Sequence, residues 1–310
     1  MARAVLIPRP GGPDVLELGE REVREPGSGE VRIAVAAAAV NPTDIGLRQH
    51  GDPEHPPPWT PGMDAAGVIE SLGANVDRLA VGDEVMAALS PRRPEGGAQA
   101  ELIVVPAASA VPIPRGASVQ QASTLPMNGL TACLGLEMLR LSAGDTLAVS
   151  GGAGLLASYV IPLARERGLR VLADAHEAEV ELVRGFGADE VVSRGREFAS
   201  QVRELAPEGV DGLFDTALLG AEAFPALRDA GGMAVVRGWD RPEPERGIQI
   251  HKVFVRTVLD RTDWLHELRR LASEGRIALR VAGEYGPEEA AEAHRVMDAG
   301  GLRGRAVIVF

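Results

Sequence analysis

Short apolar runs alternate with longer helical stretches in the middle of the chain, between residues 120 and 240. The apolar runs predict strands at 146–150, 169–174, 190–192, 212–215 and 233–237. The stretches between them predict helices, among others at 120–139, 155–167 and 178–186. Strands that alternate with helices of this length are typical of a parallel, doubly wound sheet. The pattern therefore predicts an α/β domain here.

The first 120 residues show a different pattern, with short β-branched runs separated by Pro and Gly. Strands are predicted at 31–36, 67–72 and 84–89, and a proline-rich loop at 50–61. The apolar run at 305–310 predicts a last strand that returns to this domain. We therefore expect a β-rich domain formed by residues 1–119 and 282–310, with the α/β domain at 120–281 between its two parts.

A glycine turn follows the first strand of the α/β domain, in the sequence Val-Ser-Gly-Gly-Ala-Gly. Gly151, Gly152 and Gly154 allow a pyrophosphate to approach the backbone at the start of the next helix, and Ala157 is small enough for that helix to pack on the strand. Glycine turns without a ligand are common. The predicted strand before this turn and the helix after it indicate a dinucleotide-binding unit.

An acidic residue, Asp174, ends the second strand, twenty residues after Gly154. A carboxylate at this place accepts hydrogen bonds from the adenosine ribose and repels a 2′-phosphate. Glu177 and Glu179 add negative charge nearby, so the sequence favours NAD(H) over NADP(H). The alternative is a solvated acid at a strand end.

Three residues oppose a well-formed cofactor site. Leu155 and Leu156 place bulk at the start of the helix, and Pro162 removes a backbone donor about two turns further on. These residues lower the expected affinity for a cofactor without changing the predicted fold.

Composition and charge narrow the class of protein. The 310 residues carry a formal net charge of −12, which argues against binding to nucleic acid or to an anionic membrane. Cys133 is the single cysteine, more typical of a small core residue than of a nucleophile, and it allows neither an intrachain disulfide nor a multi-cysteine zinc site. The N-terminal apolar run is too short for a signal peptide, so a soluble cytoplasmic protein is expected.

Several ordered motifs together resemble the medium-chain dehydrogenase/reductase superfamily, and within it the zinc-independent quinone oxidoreductase (zeta-crystallin-like) branch. They are Val-Asn-Pro-Thr-Asp at 40–44, Pro-Gly-Met-Asp-Ala-Ala-Gly-Val at 61–68, Val-Gly-Asp-Glu-Val at 81–85, Leu-Pro-Met-Asn-Gly-Leu-Thr-Ala at 125–132, Gly-Ala-Asp at 187–189 and Gly-Arg at 304–305. The resemblance spans essentially the whole chain. It implies a partly open, GroES-like β-barrel domain into which a Rossmann domain is inserted. It further implies hydride transfer from a nicotinamide to a small-molecule alkene, quinone or carbonyl, and a homodimer.

The same resemblance bears on zinc. Zinc-dependent relatives place a cysteine near Asn41 and a His-Glu pair after Pro61-Gly62, where this chain has Met63-Asp64. A thioether and one carboxylate do not make a three-ligand zinc site, so we expect no metal.

Without zinc, charge that develops on a substrate oxygen needs hydrogen-bond donors. The resemblance places Asn41 beside the nicotinamide, and it places Asn128 and Thr131 near the nicotinamide amide and phosphate. Each residue has an equally simple alternative role, as a turn-forming Asn before Pro or as part of a helix start.

Four further residues complete the candidate site. Gly238 and Trp239 follow a sheet strand and are expected near the nicotinamide ring, unless Trp239 is a core residue. Arg48 is a candidate to polarise a carbonyl, with a solvated surface position as the alternative. His50 is a candidate proton donor, because histidine titrates near neutrality.

Three hypotheses on function follow. The first is a zinc-independent NAD(P)H-dependent reductase of a conjugated carbonyl or quinone. The second is a family member with weakened cofactor binding that catalyses a non-redox step, such as a cyclisation or an elimination. The third is a non-catalytic protein that retains the fold. Substrate specificity is expected to lie in the segments 49–60, 89–97 and 239–253, which match the family motifs least.

Overall fold

The computed structural model describes residues 1–239 and 243–310. Its strands are β1 (Ala2–Leu6), β2 (Glu17–Arg21), β3 (Glu30–Ala39), β4 (Asp64–Leu72), β5 (Glu84–Ala88), β6 (Leu102–Pro106), β7 (Ala110–Pro112), β8 (Thr146–Ser150), β9 (Arg170–Ala175), β10 (Glu190–Ser193), β11 (Val210–Asp215), β12 (Leu227–Val235), β13 (Gln249–Lys252), β14 (Val281–Tyr285) and β15 (Arg305–Val309).

The α-helices are α1 (Pro42–His50), α2 (Val119–Ala122), α3 (Pro126–Leu139), α4 (Ala157–Glu166), α5 (Val180–Gly185), α6 (Phe198–Leu205), α7 (Thr262–Ser273) and α8 (Ala290–Ala299). Short 3-10 helices cover Pro13–Val15, Ala107–Ser109, Glu177–Glu179, Gly220–Ala226, Val255–Thr257 and Pro287–Glu289. Among the residues described, no helix is both long and apolar enough to cross a membrane.

The chain forms two compact units, of which the first comprises residues 1–127, 258–275 and 279–310. Its main sheet has the order β14-β15-β3-β4-β5-β7, and β6 pairs with β3. Alternate residues of β3, among them Val31, Ile33 and Val35, point into one apolar core, as expected for a half-buried antiparallel strand. The last strand, β15, pairs antiparallel with β3, so the predicted return of the chain end is confirmed.

The second unit comprises residues 128–257 and 276–278. Its sheet has the order β10-β9-β8-β11-β12-β13, and every neighbouring pair is parallel. Leu147, Ala148 and Val149 of the central strand β8 are fully buried, as in a strand covered on both faces. The order reverses at β8, and in a doubly wound sheet ligands bind at such a reversal, outside the carboxyl ends of the strands. The predicted α/β fold, with one parallel, doubly wound unit and one β-rich unit, is confirmed.

Details differ from the sequence prediction. The helix expected at 120–139 is two helices, α2 and α3, because residues 123–125 interrupt it before Pro126. Six strands, β1, β2, β6, β7, β13 and β14, are not predicted from the sequence. The helix α7 belongs to the first unit: Thr262 donates to the carbonyl of Ala108 and Arg269 to that of Ile113, so the units divide at other residues than 119/120 and 281/282.

Candidate cofactor site and buried polar networks

The glycine turn lies between β8 and α4 in the second unit, where it approaches two neighbouring segments closely. Gly151 has φ +71°, and a Cβ there would lie 2.8 Å from Thr216 Oγ1. At Gly152 a Cβ would lie 2.5 Å from the carbonyl oxygen of Asp174. Side chains at these two positions would push the turn away from the ends of β9 and β11, so both positions need glycine.

Asp174 turns its carboxylate towards the glycine turn. Its Oδ1 accepts a hydrogen bond of 2.9 Å from the backbone N–H of Gly152, and the residue is only 2% exposed. Burial raises the pKa of Asp174 above its usual value, while the N–H groups of Gly152 and Gly151 oppose this rise. The buried carboxylate therefore stabilises the glycine turn by accepting this hydrogen bond. The alternative of a solvated acid at a strand end is wrong.

Neither leucine after the turn is exposed to solvent: Leu155 is buried and Leu156 is half-buried. Leu155 is 2% exposed, so its side chain packs into the unit and away from the turn's outer surface. Helix α4 begins at Ala157 and contains Pro162, and all its residues from Ala157 to Ala164 are buried. Burial of Leu155 weakens the argument that its bulk obstructs a ligand at this turn.

The carboxyl end of β11 carries a polar network that sequence reasoning missed. The hydroxyl of Ser150 donates to Asp215 Oδ1 at 2.7 Å, and the hydroxyl of Thr216 donates to the carbonyl of Ser150. The N–H groups of Leu219 and Gly220 donate to the Asp215 carboxylate at 3.0 and 2.8 Å. The loop after β11 is thereby fixed to the strand end from which the glycine turn starts. An Asp at a strand end is the only sequence signal for this network.

Positive charge stands near Asp174 at the neighbouring strand end. Arg194 follows β10, its backbone N–H donates to the carbonyl of Ala175 at 3.0 Å, and its charge lowers the pKa of Asp174. Arg194 and His176 are both exposed. Arg194 thus places a positive charge near the buried carboxylate.

The remaining predicted cofactor residues also lie in the second unit. Asn128 and Thr131 are on the first turns of α3, 3% and 6% exposed. Gly238 has φ +76° after β12, and Trp239 stacks on Phe224 with ring centroids 5.7 Å apart. Trp239 is half-buried against the core, so it combines packing with a remaining exposed face. In the segment 239–253, residues 240–242 lie outside the described residues.

In the first unit, Asn41 is fully buried and held on both sides of its amide. Its Nδ2 donates to Asp64 Oδ2 at 2.7 Å, and its Oδ1 accepts from Arg305 Nε at 2.8 Å. The two carboxylates of the network are also satisfied by backbone donors: Asp44 by the N–H groups of Asn41 and Gly62, and Asp64 by that of Met127. We call this set of residues the Asn41 network: Asn41, Asp44, Gly62, Asp64, Met127 and Arg305.

Burial changes the protonation of the two acids. It raises the pKa of Asp44 to about 6 and that of Asp64 to about 7, and the charge of Asp44 adds to the rise at Asp64. The nearby Arg305 guanidinium lowers both values. The N–H donors of the network point at carboxylate oxygens, so they stabilise the charged forms of Asp44 and Asp64, which burial destabilises.

Arg48 and His50 both lie at the end of α1 but in opposite environments. His50 is exposed, whereas Arg48 is fully buried, so a solvated surface position for Arg48 is wrong. The Arg48 guanidinium donates to Asp298 Oδ2 at 2.6 Å and faces His294 Nδ1 at 3.1 Å. Burial and the charge of Arg48 lower the pKa of His294 to about 3, so His294 is neutral and accepts at Nδ1.

The donor set near Asn41 does not fit a zinc ion. Met63 offers a thioether, and the Asp64 and Asn41 oxygens already accept hydrogen bonds from N–H groups. Within residues 1–239 and 243–310, one group of side chains is close enough to share a metal ion: Asp52, Glu54 and His55. Its central carboxylate, that of Asp52, is already bound by His55 and Arg92.

Comparisons with known proteins agree with this architecture. Residues 27–115 match the alcohol dehydrogenase GroES-like domain, and residues 186–308 match the zinc-binding dehydrogenase family. The chain is 29% identical to the 2-methylene-furan-3-one reductase of Solanum lycopersicum over 310 residues, covering 96% of this chain and 76% of that protein. It is 34% identical to the chloroplastic NADPH-dependent alkenal/one oxidoreductase of Arabidopsis thaliana over 240 residues, covering 74% of this chain and 60% of that protein.

A mycobacterial protein solved in complex with NADPH superposes with a TM-score of 0.85 at 26% identity, over all of both chains. Fold, motifs and relatives together define a two-unit nicotinamide-dependent dehydrogenase or reductase. The chain belongs to the medium-chain dehydrogenase/reductase superfamily, in its quinone oxidoreductase branch. It is an enzyme of the oxidoreductase class that uses a pyridine nucleotide.

Proposed function

We propose that this protein reduces the activated double bond of a conjugated carbonyl compound, or a quinone, with NADPH and without a metal ion. The observation that carries the proposal is the glycine turn at the reversal of the parallel sheet, braced by Asp174 on one side and by the Ser150–Asp215 network on the other. The named activities of the relatives, on an alkenal or alkenone and on a methylene-furanone, support this substrate class.

The preference for NADPH departs from the preference for NAD(H) that the sequence suggested. That preference relied on an Asp174 carboxylate that faces the ribose, but this carboxylate is buried and bound to Gly152. The exposed Arg194 near it favours a 2′-phosphate, because a guanidinium binds phosphate oxygens through charge-assisted hydrogen bonds.

In the proposed reaction the bound nicotinamide supplies a hydride. The glycine turn and the N-terminal end of α4 would hold the pyrophosphate, while Asn128, Thr131 and Trp239 would orient the nicotinamide half. Of the predicted catalytic residues, Asn41, Arg48 and Asn128 are nearly or fully buried, and His50 is exposed. We therefore assign the proton donor to His50, because a proton donor has to reach the substrate.

The absence of a metal is part of the proposal and is supported by the donor set at Asn41, Met63 and Asp64 described above. Activity is expected to survive exhaustive treatment with a chelator, and the purified enzyme is expected to hold less than about 0.1 zinc per chain, since no three-ligand set is offered there. Loss of activity on chelation that added zinc restores would contradict this part.

Two further expectations are a homodimer and a cytoplasmic location. The outermost strand of the second sheet, β13, pairs on one side with β12, and within the described residues no strand pairs with its other side. An unpaired edge strand is normally protected from pairing with other chains. Pairing with a second copy of this chain would protect it in a homodimer. Light scattering is expected to give twice the chain mass of 32.6 kDa.

Titration of the purified enzyme with NADPH and NADH, followed by nicotinamide fluorescence, tests the cofactor. NADPH is expected to bind roughly tenfold more tightly, and Arg194→Gln to remove most of that difference, since one charge-assisted contact contributes about 1.4 kcal/mol. The neighbouring exposed Arg196 supplies the matched control, Arg196→Gln. Equal affinities in the unmodified enzyme would contradict the preference.

Turnover tests the reaction itself. Oxidation of NADPH in the presence of a panel of enones, enals and quinones is expected, with saturated ketones as the control substrates. If neither nucleotide binds at millimolar concentration and no panel member is reduced, the redox function is wrong, and a non-redox step in the same fold becomes the better explanation.

A further inference from the structure

The loop after β11 holds a large apolar side chain in solvent in an unfavourable backbone conformation. Leu218 has φ +63° and is 42% exposed. A left-handed conformation costs a branched residue energy that glycine or asparagine largely avoids, and at 42% exposure the leucine side chain gains only part of the burial that would compensate for it. Local folding therefore favours glycine or asparagine over leucine at this position.

The surrounding network forces this conformation on the loop. Asp215 accepts from the N–H groups of Leu219 and Gly220, the two residues after Leu218. On the other side of Leu218, the N–H of Ala217 donates to the Ser150 hydroxyl at 3.1 Å. Hydrogen bonds on both sides of one residue fix its backbone, and strain that is held in this way is a sign of function.

The loop also lies against the glycine turn. A Cβ at Gly151 would be 3.3 Å from the Ala217 Cβ and 2.8 Å from Thr216 Oγ1, so the two residues before Leu218 touch the turn. β8 and β11 are neighbours at the reversal of the sheet, where a dinucleotide is expected to bind. An exposed apolar side chain at this edge would face a ligand whose phosphates occupy the turn.

We propose that Leu218 is the apolar contact for one planar ring of the dinucleotide, and that the strained loop exists to present it. A flat heterocycle covers a leucine side chain well, and the contact removes apolar surface from water on both partners. The inference rests on the proposed function, because it assumes that a dinucleotide binds at the turn. It adds a residue that the family motifs in this sequence do not include.

Two substitutions separate contact from strain. Leu218→Ala keeps the strained backbone and deletes the contact, so affinity for NADPH is expected to fall about five- to tenfold with little change in thermal stability. Leu218→Gly deletes both, so the same loss of affinity is expected together with a higher melting temperature. Leu218→Met retains apolar surface and is expected to keep at least half of the affinity.

Val81→Ala is the matched control, because Val81 is 62% exposed and belongs to the first unit, whereas the glycine turn belongs to the second. Its affinity for NADPH is expected to stay within twofold of the unmodified enzyme. A loss at Val81 as large as that at Leu218 would overturn the assignment, since it would show a general effect of removing surface apolar groups.

Separate titrations with ADP and with nicotinamide mononucleotide identify the ring. The half that contacts Leu218 is expected to lose affinity in Leu218→Ala, and the other half to be unaffected. Unchanged affinity for NADPH and for both halves overturns the proposal. If the unmodified enzyme binds ADP or the mononucleotide but reduces no substrate, the proposed function fails while the Leu218 contact is still decided by these titrations. If it binds none of the three, both fail.

Discussion

Arg48 is a buried cation whose partners come from a distant part of the chain. Its guanidinium contacts Asp298, His294 and the carbonyl of Gly11, and His294 in turn faces Gln99 at 3.3 Å. A guanidinium with this set of partners fixes α1 to α8 and has no free face for a substrate carbonyl. We therefore interpret Arg48 as a structural residue of the first unit.

Arg48→Met is expected to lower the free energy of unfolding by about 2–3 kcal/mol, because buried groups of His294 and Gly11 lose their donor and Asp298 its counter-ion. Urea unfolding measures this loss, and steady-state kinetics on the folded protein are expected to show unchanged kcat and KM. Arg295→Met on the same helix, whose side chain is 48% exposed, is the control and is expected to change stability by less than about 0.5 kcal/mol. A large fall in kcat with unchanged stability would instead make Arg48 catalytic.

The sequence could not reveal the environment of Arg48, because Asp298 lies 250 positions away and no local pattern connects them. Asp174 shows the same limit in another form. The spacing from the glycine turn predicted its position at the end of a strand. The direction of its carboxylate depends on how the glycine turn folds over that strand end, which the spacing does not show. Residue types and positions were predictable, whereas partners were not.

At the scale of secondary-structure elements, the Asn41 network joins the start of α1 to β4 and β15 and contains two buried acids. An acid whose pKa is raised by folding binds its proton more tightly in the folded state than in the unfolded chain. Such an acid contributes stability that is fully present below its unfolded pKa near 4, and this stability is lost as the pH rises through the folded value, about 7 for Asp64.

We therefore expect Asp64 to contribute a loss of stability between pH 4.5 and 7.5, whereas the lowered pKa of His294 contributes a gain as the pH rises towards 6.5. Asp64→Asn removes the contribution of Asp64, so the stability of the variant is expected to rise more, or to fall less, with pH than that of the unmodified enzyme. The variant is less stable overall, since its amide N–H₂ faces backbone or side-chain donors, so the slope with pH is the measurement, taken by urea unfolding at about six pH values. Asp83→Asn, at a half-buried turn position of the same unit, is the control and is expected to keep the full slope. An identical slope in Asp64→Asn would contradict the assignment of the proton to Asp64.

The packing of α3 on β11 depends on one glycine of the helix. A Cβ at Gly135 would overlap the ring of Phe214, which is fully buried. Gly135→Ala is expected to destabilise the protein by about 1–3 kcal/mol, because the ring has no space to move into. In Gly185→Ala the new methyl meets nothing within 4 Å, so the better helix propensity of alanine is expected to stabilise the protein by up to about 1 kcal/mol. Thermal unfolding of both variants measures the contrast, and equal effects would contradict it.

The strands of the second sheet were the most predictable elements: five of its six, all but β13, were predicted, because short apolar runs such as 146–150 alternate there with helical stretches. β13 was missed because Gln-Ile-His-Lys has one strongly apolar residue, and the strand forms through its pairing with β12. The break between α2 and α3 was also missed. Pro126 is compatible with the first position of a new helix and also with a kink inside one longer helix, and composition alone does not distinguish these two structures.

At the scale of the whole molecule, the first unit is assembled from three separate segments, whereas the second is nearly continuous from 128 to 257. The strands β3 and β15 that pair in the first unit are more than 260 residues apart in the chain. The resemblance to the family predicted that the end of the chain returns to the first unit. The local pattern predicted only an apolar last strand. The exact division was not accessible, because it depends on tertiary contacts of α7.

Dinucleotide binding is expected to raise the thermal stability of the whole enzyme by mass action. At 100 times its Kd, NADPH adds about 2.7 kcal/mol to the free energy of unfolding, and NADH at the same concentration adds about 1.4 kcal/mol if it binds tenfold more weakly. For a chain of this length the larger value corresponds to a rise in Tm of about 4 °C. Differential scanning calorimetry measures both shifts, and in Arg194→Gln they are expected to converge because NADPH loses its extra contact. A larger shift with NADH than with NADPH would show that the buried Asp174 carboxylate, rather than Arg194, decides the choice of cofactor.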